Sequence, residues 1–202
     1  MKFKNYIKSP SIKLLNENVE KSIVDAIHND KVRRAFFDFL RLIDDENFVL
    51  IGGLALGCWG VSRETDDIDI AILSENDIND VAQKTKSKFK RTRAHALEHK
   101  TIGVEIEFIT STHIKVSIDL IKKTIQHAKI EDINGRRFKI ARPKYLIALK
   151  LGRAMDKNDL IKGYRDKSDI LGLTDNYGRF DLKGLVPTEQ IKFYENLIKD
   201  LK

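Results

Sequence analysis

Residues 49–73 read VLIGGLALGCWGVSRETDDIDIAIL, and the fold is decided by how this stretch divides. The apolar run FVLIGG, from Phe48, predicts a short buried strand that stops at Gly52 and Gly53. The segment GLALGCWGV is apolar almost throughout and predicts a helix packed against a sheet. DIDIAIL alternates charge and bulk with period two. It predicts a second strand with Asp67 and Asp69 on one face and Ile68 and Ile70 on the other.

Two carboxylates that close on one strand face repel, and each raises the other's pKa unless a cation lies between them. Hard divalent ions such as Mg²⁺ take oxygen ligands, commonly one or two protein carboxylates with substrate phosphates. A pair of such ions can clamp both oxygens of an in-line phosphoryl displacement. That scheme needs a third carboxylate from a neighbouring strand, and VEIEF offers Glu105 and Glu107, two apart and on one face. The glycines fit the same scheme. Gly52 and Gly53 stand where backbone N–H groups are unpaired and a helix dipole favours an anion, and a missing Cβ lets phosphate oxygens approach. The competing reading is a solvated acidic strand next to an ordinary tight turn. A lone D-x-D carries little weight, so it is the combination that favours a phosphate-and-metal site.

Outward from this unit, residues 19–43 show helical spacing of Ile23, Ile27, Phe36, Phe37, Leu40 and Ile43. ENDINDVAQKT predicts a helix; TRAHALEH and TIGVEIEFIT predict two strands with a turn near Lys100; SIDLIKKTIQHAK predicts another helix. KIEDINGRRFKIA carries a hairpin signal in the pair Asn134-Gly135. PKYLIALKLGRAM, DKSDILGL and PTEQIKFYENLIKDL read as helices, each opened by Pro or Asp. The outline is a mixed α/β part over residues 1–141, with an N-terminal helical segment, and a helical part over residues 142–202.

With 202 residues, 42% hydrophobic and 33% charged, the composition is that of a globular chain with room for one sizeable core. No apolar run approaches the ~18 residues of a membrane span. MKFKNYIKSPSIK lacks the apolar stretch of a secretory signal. The one cysteine, Cys58, fits a reducing cytoplasm and reads as a small core residue. The net charge of +7 is unevenly spread. KTKSKFKRTR, Lys84 to Arg93, holds six basic residues and no acidic one, and GRRFKIARPK, Gly135 to Lys144, forms a second basic stretch. Such stretches are either solvated faces or footprints for a polyanion.

Taken together, IGGLALGCWGVSRETDDIDIAI resembles the signature of the minimal nucleotidyltransferase superfamily, with its polymerase-β-like α+β fold. The R-x-T-x-D-I-D form (Arg63, Thr65, Asp67, Asp69) is similar to the AbiEii-type toxins of type IV toxin–antitoxin systems. The likeness continues in RRFKIARPKYLIALKLGRAMDKNDLIKGYRDKSDILGL, where a Lys-Leu helix precedes a K-D-x-x-D-like helix. It implies a mixed sheet flanked by helices with a helical C-terminal part. It also implies that Asp67, Asp69 and Glu107, with Glu105 as the alternative, are catalytic and hold Mg²⁺, two ions being expected. Gly52, Gly53, Arg63 and Thr65 would belong to the nucleotide site. Lys150 would contact the phosphates of an NTP such as ATP, with Asp166 or Asp169 orienting it. Three positions depart from the pattern: Gly53 stands in place of the common serine, the third acid is Glu, and the last helix carries Arg165-Asp166 in place of Lys-Asp.

The expected activity is transfer of NMP from an NTP to an acceptor hydroxyl of tRNA, another nucleic acid or a protein. A toxin role with an antitoxin partner, and no membrane, accompany it. The alternative is a weak or inactive member that only binds nucleic acid. Arg63 is placed either to grip a phosphate or to form a structural salt bridge. HALEH (His95 to His99) matches a zinc-peptidase pattern, but that chemistry needs a helix where this segment reads as a strand. His28, His113 and His127 have no ligand-like neighbours, and Trp59 reads as core.

Overall fold

A computed structural model describes residues 27–43, 47–61, 64–112, 116–133, 135–156 and 158–201. Helix α1 (Asp30–Leu42) starts where the Asn29 side chain accepts from the N–H groups of Lys31 and Val32. It buries Val32, Ala35, Phe36, Phe39 and Leu40. Ile23 and the rest of the expected helix before residue 27 lie outside the described residues. Strand β1 (Phe48–Leu50), helix α2 (Gly52–Cys58) and strand β2 (Asp67–Ile72) follow as the opening stretch predicts.

Helix α3 (Glu75–Thr85) opens on a capping box in which Ser74 and Asp77 satisfy each other's backbone N–H. The single strand expected over TRAHALEH is instead a hairpin, β3 (Phe89–Arg93) and β4 (Ala96–His99), turning at Ala94 and His95. The cause is local. The Arg91 guanidinium donates back to the carbonyls of Arg93 and Ala94, and the pairing register shifts between Arg91 and Arg93. Strand β5 (Glu105–Ile109), helix α4 (Ile118–Gln126) and the hairpin β6 (Lys129–Ile133) and β7 (Arg136–Ile140) come next. Gly135 takes the positive φ of 76° that its turn requires, and its N–H donates to Asp132.

Helix α5 (Pro143–Ala154) has Pro143 in its first turn, as expected. Helix α6 (Leu160–Tyr177) begins earlier than DKSDILGL suggested, because the Asp159 side chain caps it by accepting from Lys162 N–H. Helix α7 (Thr188–Leu197) follows Pro187.

The seven strands form one mixed sheet in the order β3-β4-β5-β2-β1-β7-β6. With seven helices among the described residues, this is an α+β fold. β2 runs antiparallel to β1 and parallel to β5, so the acidic strands are neighbours at the centre. The Phe39 ring of α1 meets those of Phe48, Phe89 and Phe108 at 5.8–6.5 Å, tying the helix to β1, β3 and β5. One buried cluster takes in Ile68 and Ile70 of β2, Leu146 and Leu151 of α5, Ile170 of α6 and Tyr194 of α7, so the C-terminal helices share the sheet's core. No helix among the described residues is long and apolar enough to cross a membrane.

Candidate active site

The parallel register between β2 and β5 sets Asp67 opposite Glu105 and Asp69 opposite Glu107. Period two then puts all four carboxylates on one face. Among the described residues, Asp67, Asp69 and Glu107 form the one group of three that offers one carboxylate oxygen each, all within 4.8 Å of one another. Glu105 is occupied elsewhere, taking an ion pair from Arg93 and a hydrogen bond from the Thr92 hydroxyl. Both carboxylates were open on sequence grounds. The structure brings Glu107 into the cluster, and Glu105 faces the β3 edge.

Gly52 has a role that its sequence position alone did not reveal. Its φ is +62°, and a Cβ there would come within 1.7 Å of Asp69 Oδ2. The space that a side chain would fill is therefore taken by the Asp69 carboxylate. The turn is tied to the acidic strand by Ile51 N–H, which donates to the Asp69 carbonyl at 3.0 Å. Gly53 is buried in the first turn of α2. Thr65 donates its hydroxyl to Asp67 Oδ1 at 2.7 Å, fixing the carboxylate that opens the cluster. Arg63 lies outside the described residues.

Electrostatics follow from this crowding. Burial, then the charges of Asp67 and Glu107, push the Asp69 carboxyl up to about 6, while Lys150 and Arg153 act in the opposite direction. A carboxylate trio whose central member holds its proton to about pH 6, well above the ordinary 3.8, is a donor set short of positive charge. Three hard oxygen donors at this spacing fit a divalent ion such as Mg²⁺.

The two cations that act on Asp69 belong to a second charged group. Lys150 on α5 is buried and pairs with Asp166 Oδ1 at 2.7 Å and Asp169 Oδ2 at 2.8 Å, both on α6. Arg153, three residues along α5, grips Asp166 through Nε and Nη2. Burial opposes ionisation of Asp166, yet hydrogen bonds from Arg153 and Lys150 outweigh it and hold the carboxyl below the usual range. Arg153 is raised in turn, chiefly by its bond to Asp166.

With this geometry in view, three comparisons bear on the chain. The family described as "Nucleotidyl transferase AbiEii toxin, Type IV TA system" matches residues 34–171, more than half of the sequence. The chain belongs to this family. An AbiEii-family chain is a nucleotidyltransferase, and the match spans both the carboxylate trio and the α5–α6 charge network. Among solved structures, it resembles the crystal structure of an antigenic nucleotidyltransferase-like protein from Paracoccidioides brasiliensis. The TM-score is 0.54 at 16% identity, covering 92% of this chain and 89% of that one, which shows the fold. The Megavirus polyadenylate synthase matches at TM-score 0.47 and 12% identity, over 100% of this chain and 45% of that one. No curated protein matches by sequence.

HALEH is a strand and turn with His99 buried, its Nε2 3.1 Å from Asp38 and its Nδ1 accepting from the Thr101 and Ile102 N–H groups. Both ring nitrogens are thus engaged, and the zinc pattern is coincidental. Burial pushes the Cys58 thiol up to about 12, leaving it inert as a nucleophile at neutral pH. Trp59 donates its indole N–H to the Ala141 carbonyl and stacks edge-on with Tyr177, a packing role. The basic stretch Lys84–Arg93 runs from the end of α3 into edge strand β3, where Lys88 pairs with Asp38, Lys90 with Glu98 and Arg93 with Glu105. It is less bare than its sequence suggests. Arg153 was missed because its partners come from another helix; its i,i+3 spacing from Lys150 was the one available signal.

Proposed function

We propose that this nucleotidyltransferase uses Mg²⁺, held by Asp67, Asp69 and Glu107, to move a nucleoside monophosphate from an NTP onto a hydroxyl of an RNA acceptor, with tRNA the leading choice. The observation that carries this is the carboxylate trio, with oxygens within 4.8 Å, packed against a turn where only glycine fits. Magnesium bound there supplies relief of the carboxylate repulsion and polarisation of the reacting oxygens; two ions are the expected number.

The chain's own groups do the rest. Thr65 fixes Asp67 by its hydrogen bond, and Gly52 leaves Asp69 the volume its carboxylate occupies. Glu107 is placed to orient the acceptor hydroxyl and take up its proton. The new bond joins the acceptor oxygen to the α-phosphorus, and the bond from that phosphorus to the β-bridging oxygen breaks, releasing pyrophosphate. The backbone N–H groups of Gly52 and Gly53 are offered to the phosphates, with Arg63 a further candidate. The exposed Lys86 and Arg91 of the basic stretch support a nucleic-acid acceptor, and the Arg93–Glu105 pair links β3 to the register neighbour of Asp67. A toxin role, a cytoplasmic site of action and an antitoxin that counters it belong to the same proposal, on the strength of the family.

The test is incubation with each α-labelled NTP and total cellular RNA. Label is expected in RNA for the wild type and not for Asp69→Asn. Label on protein alone would move the acceptor assignment, and RNA retention with no label under any NTP would favour a binding protein without catalysis.

A further inference from the structure

Two cations stand near Asp69, and they are not equivalent. The Lys150 side chain is 6% exposed and closed in by Asp166 and Asp169. Of the three N–H donors of its ammonium, two face these carboxylates, and burial closes off the third, so a phosphate could come to Lys150 only by displacing part of the network, which leaves buried charge uncompensated. The Arg153 side chain is 51% exposed. Its hold on Asp166 uses Nε and Nη2, two of the five N–H donors a guanidinium carries, and Nη1 takes no part. Arg153 lies one turn along α5 from Lys150, on a helix that shares the sheet's core, and its charge bears on Asp69.

We infer that Arg153 forms the pyrophosphate subsite: it binds the β- and γ-phosphates of the incoming triphosphate and holds pyrophosphate as it leaves, while Lys150 is a strut that fixes Asp166. This rests on the nucleotidyl-transfer reading above and reassigns the phosphate contact expected of Lys150. The guanidinium fork suits two phosphate oxygens, where an ammonium offers a point charge. Asp166 holds one edge of the guanidinium, so its orientation is set before substrate arrives and little ordering is lost on binding. When the bond between the α-phosphorus and the bridging oxygen breaks, the electron pair stays on the pyrophosphate oxygen. Arg153 faces that added charge. The network without substrate pairs Lys150 and Arg153 with Asp166 and Asp169. A phosphate therefore meets a fixed donor edge in a balanced surrounding, with Lys150 keeping Asp166 in place.

Equilibrium binding by the intact chain tests this, with each Mg²⁺-NTP, the matching NMP and Mg²⁺-pyrophosphate as probes, on the wild type, Arg153→Ala and Arg153→Gln. Both variants are expected to weaken triphosphate and pyrophosphate binding about tenfold or more and monophosphate binding less than about twofold. Arg153→Gln keeps a hydrogen-bond donor for Asp166, so it decides the matter if Arg153→Ala melts early. Wild-type triphosphate affinity in Arg153→Gln would overturn the assignment and leave the nucleotidyl-transfer reading intact. Equal loss of monophosphate and triphosphate would assign Arg153 a structural role and also overturn it. A wild type that binds no Mg²⁺-NTP would remove both.

Discussion

The carboxylate trio of Asp67, Asp69 and Glu107 and the Lys150–Arg153–Asp166–Asp169 network stand next to each other in the same fold, yet their charges are arranged in opposite ways. In the network each anion has a cation: Asp166 takes two, Asp169 takes Lys150, and Asp166 ionises more readily than a free carboxylate. In the trio the anions crowd one another, and Asp69 is pushed up to about 6. One group is complete within the chain; the other has a deficit of positive charge that a substrate-bearing cation can fill. Acids that hold the fold and acids that await a cation can therefore be told apart by charge balance, even where both are buried.

The sharpest way to break the comparison is to remove one acid from each group. Asp69→Asn is expected to lower labelled NMP transfer by about a thousandfold or more, since it removes a central metal ligand. The same substitution should stabilise the metal-free protein at pH 7 by about 1–2 kcal/mol, because a disfavoured charge is gone. Urea unfolding in chelator reads the second effect. Lys150→Met, by contrast, should destabilise the chain by about 3–5 kcal/mol with or without magnesium, as it takes the buried cation from Asp169 and one of two from Asp166.

Acid–base behaviour sharpens the same contrast. The folded-state pKa of Asp69 lies above its ordinary value of 3.8. Its contribution to stability is therefore complete below about pH 4 and is lost as pH rises through about 6. Asp166 is shifted down, so its contribution is present above the ordinary carboxylate range and is lost as pH falls through its lowered value. Metal-free unfolding followed from pH 4 to 7 should show a downward contribution that Asp69→Asn abolishes. Magnesium should remove it in the wild type, because binding displaces the Asp69 proton. The smallest effect expected is for Thr65→Val, which loses one hydrogen bond to Asp67. It should cost about 0.5–1.5 kcal/mol of stability and a modest fraction of kcat.

The central strand–turn–helix–strand unit was legible because its signals are local. Period-two alternation sets Asp67 and Asp69 on one face whatever the rest of the chain does. Glu105 and Glu107 could not be separated by the same rule, since they share a face; the difference lies in Arg93, which reaches Glu105 from β3. The requirement for glycine at position 52 involves Asp69, on the next strand. The closure of Lys150 and the partial exposure of Arg153 depend on how α6 packs on α5, which no local pattern records. The β3–β4 hairpin went unseen because its turn, Ala94 and His95, has neither Gly nor Pro, and it is held by the Arg91 side chain. Where function depends on a partner far along the chain, residue type was readable and residue role was not.

The most direct measurement is a calorimetric titration of magnesium into the protein with a non-hydrolysable NTP, for the wild type and Asp69→Asn at pH 7. A saturable binding heat in the wild type that disappears in the variant is the expected result. Matching isotherms for the two proteins would contradict the assignment of these carboxylates to a metal-dependent transfer site.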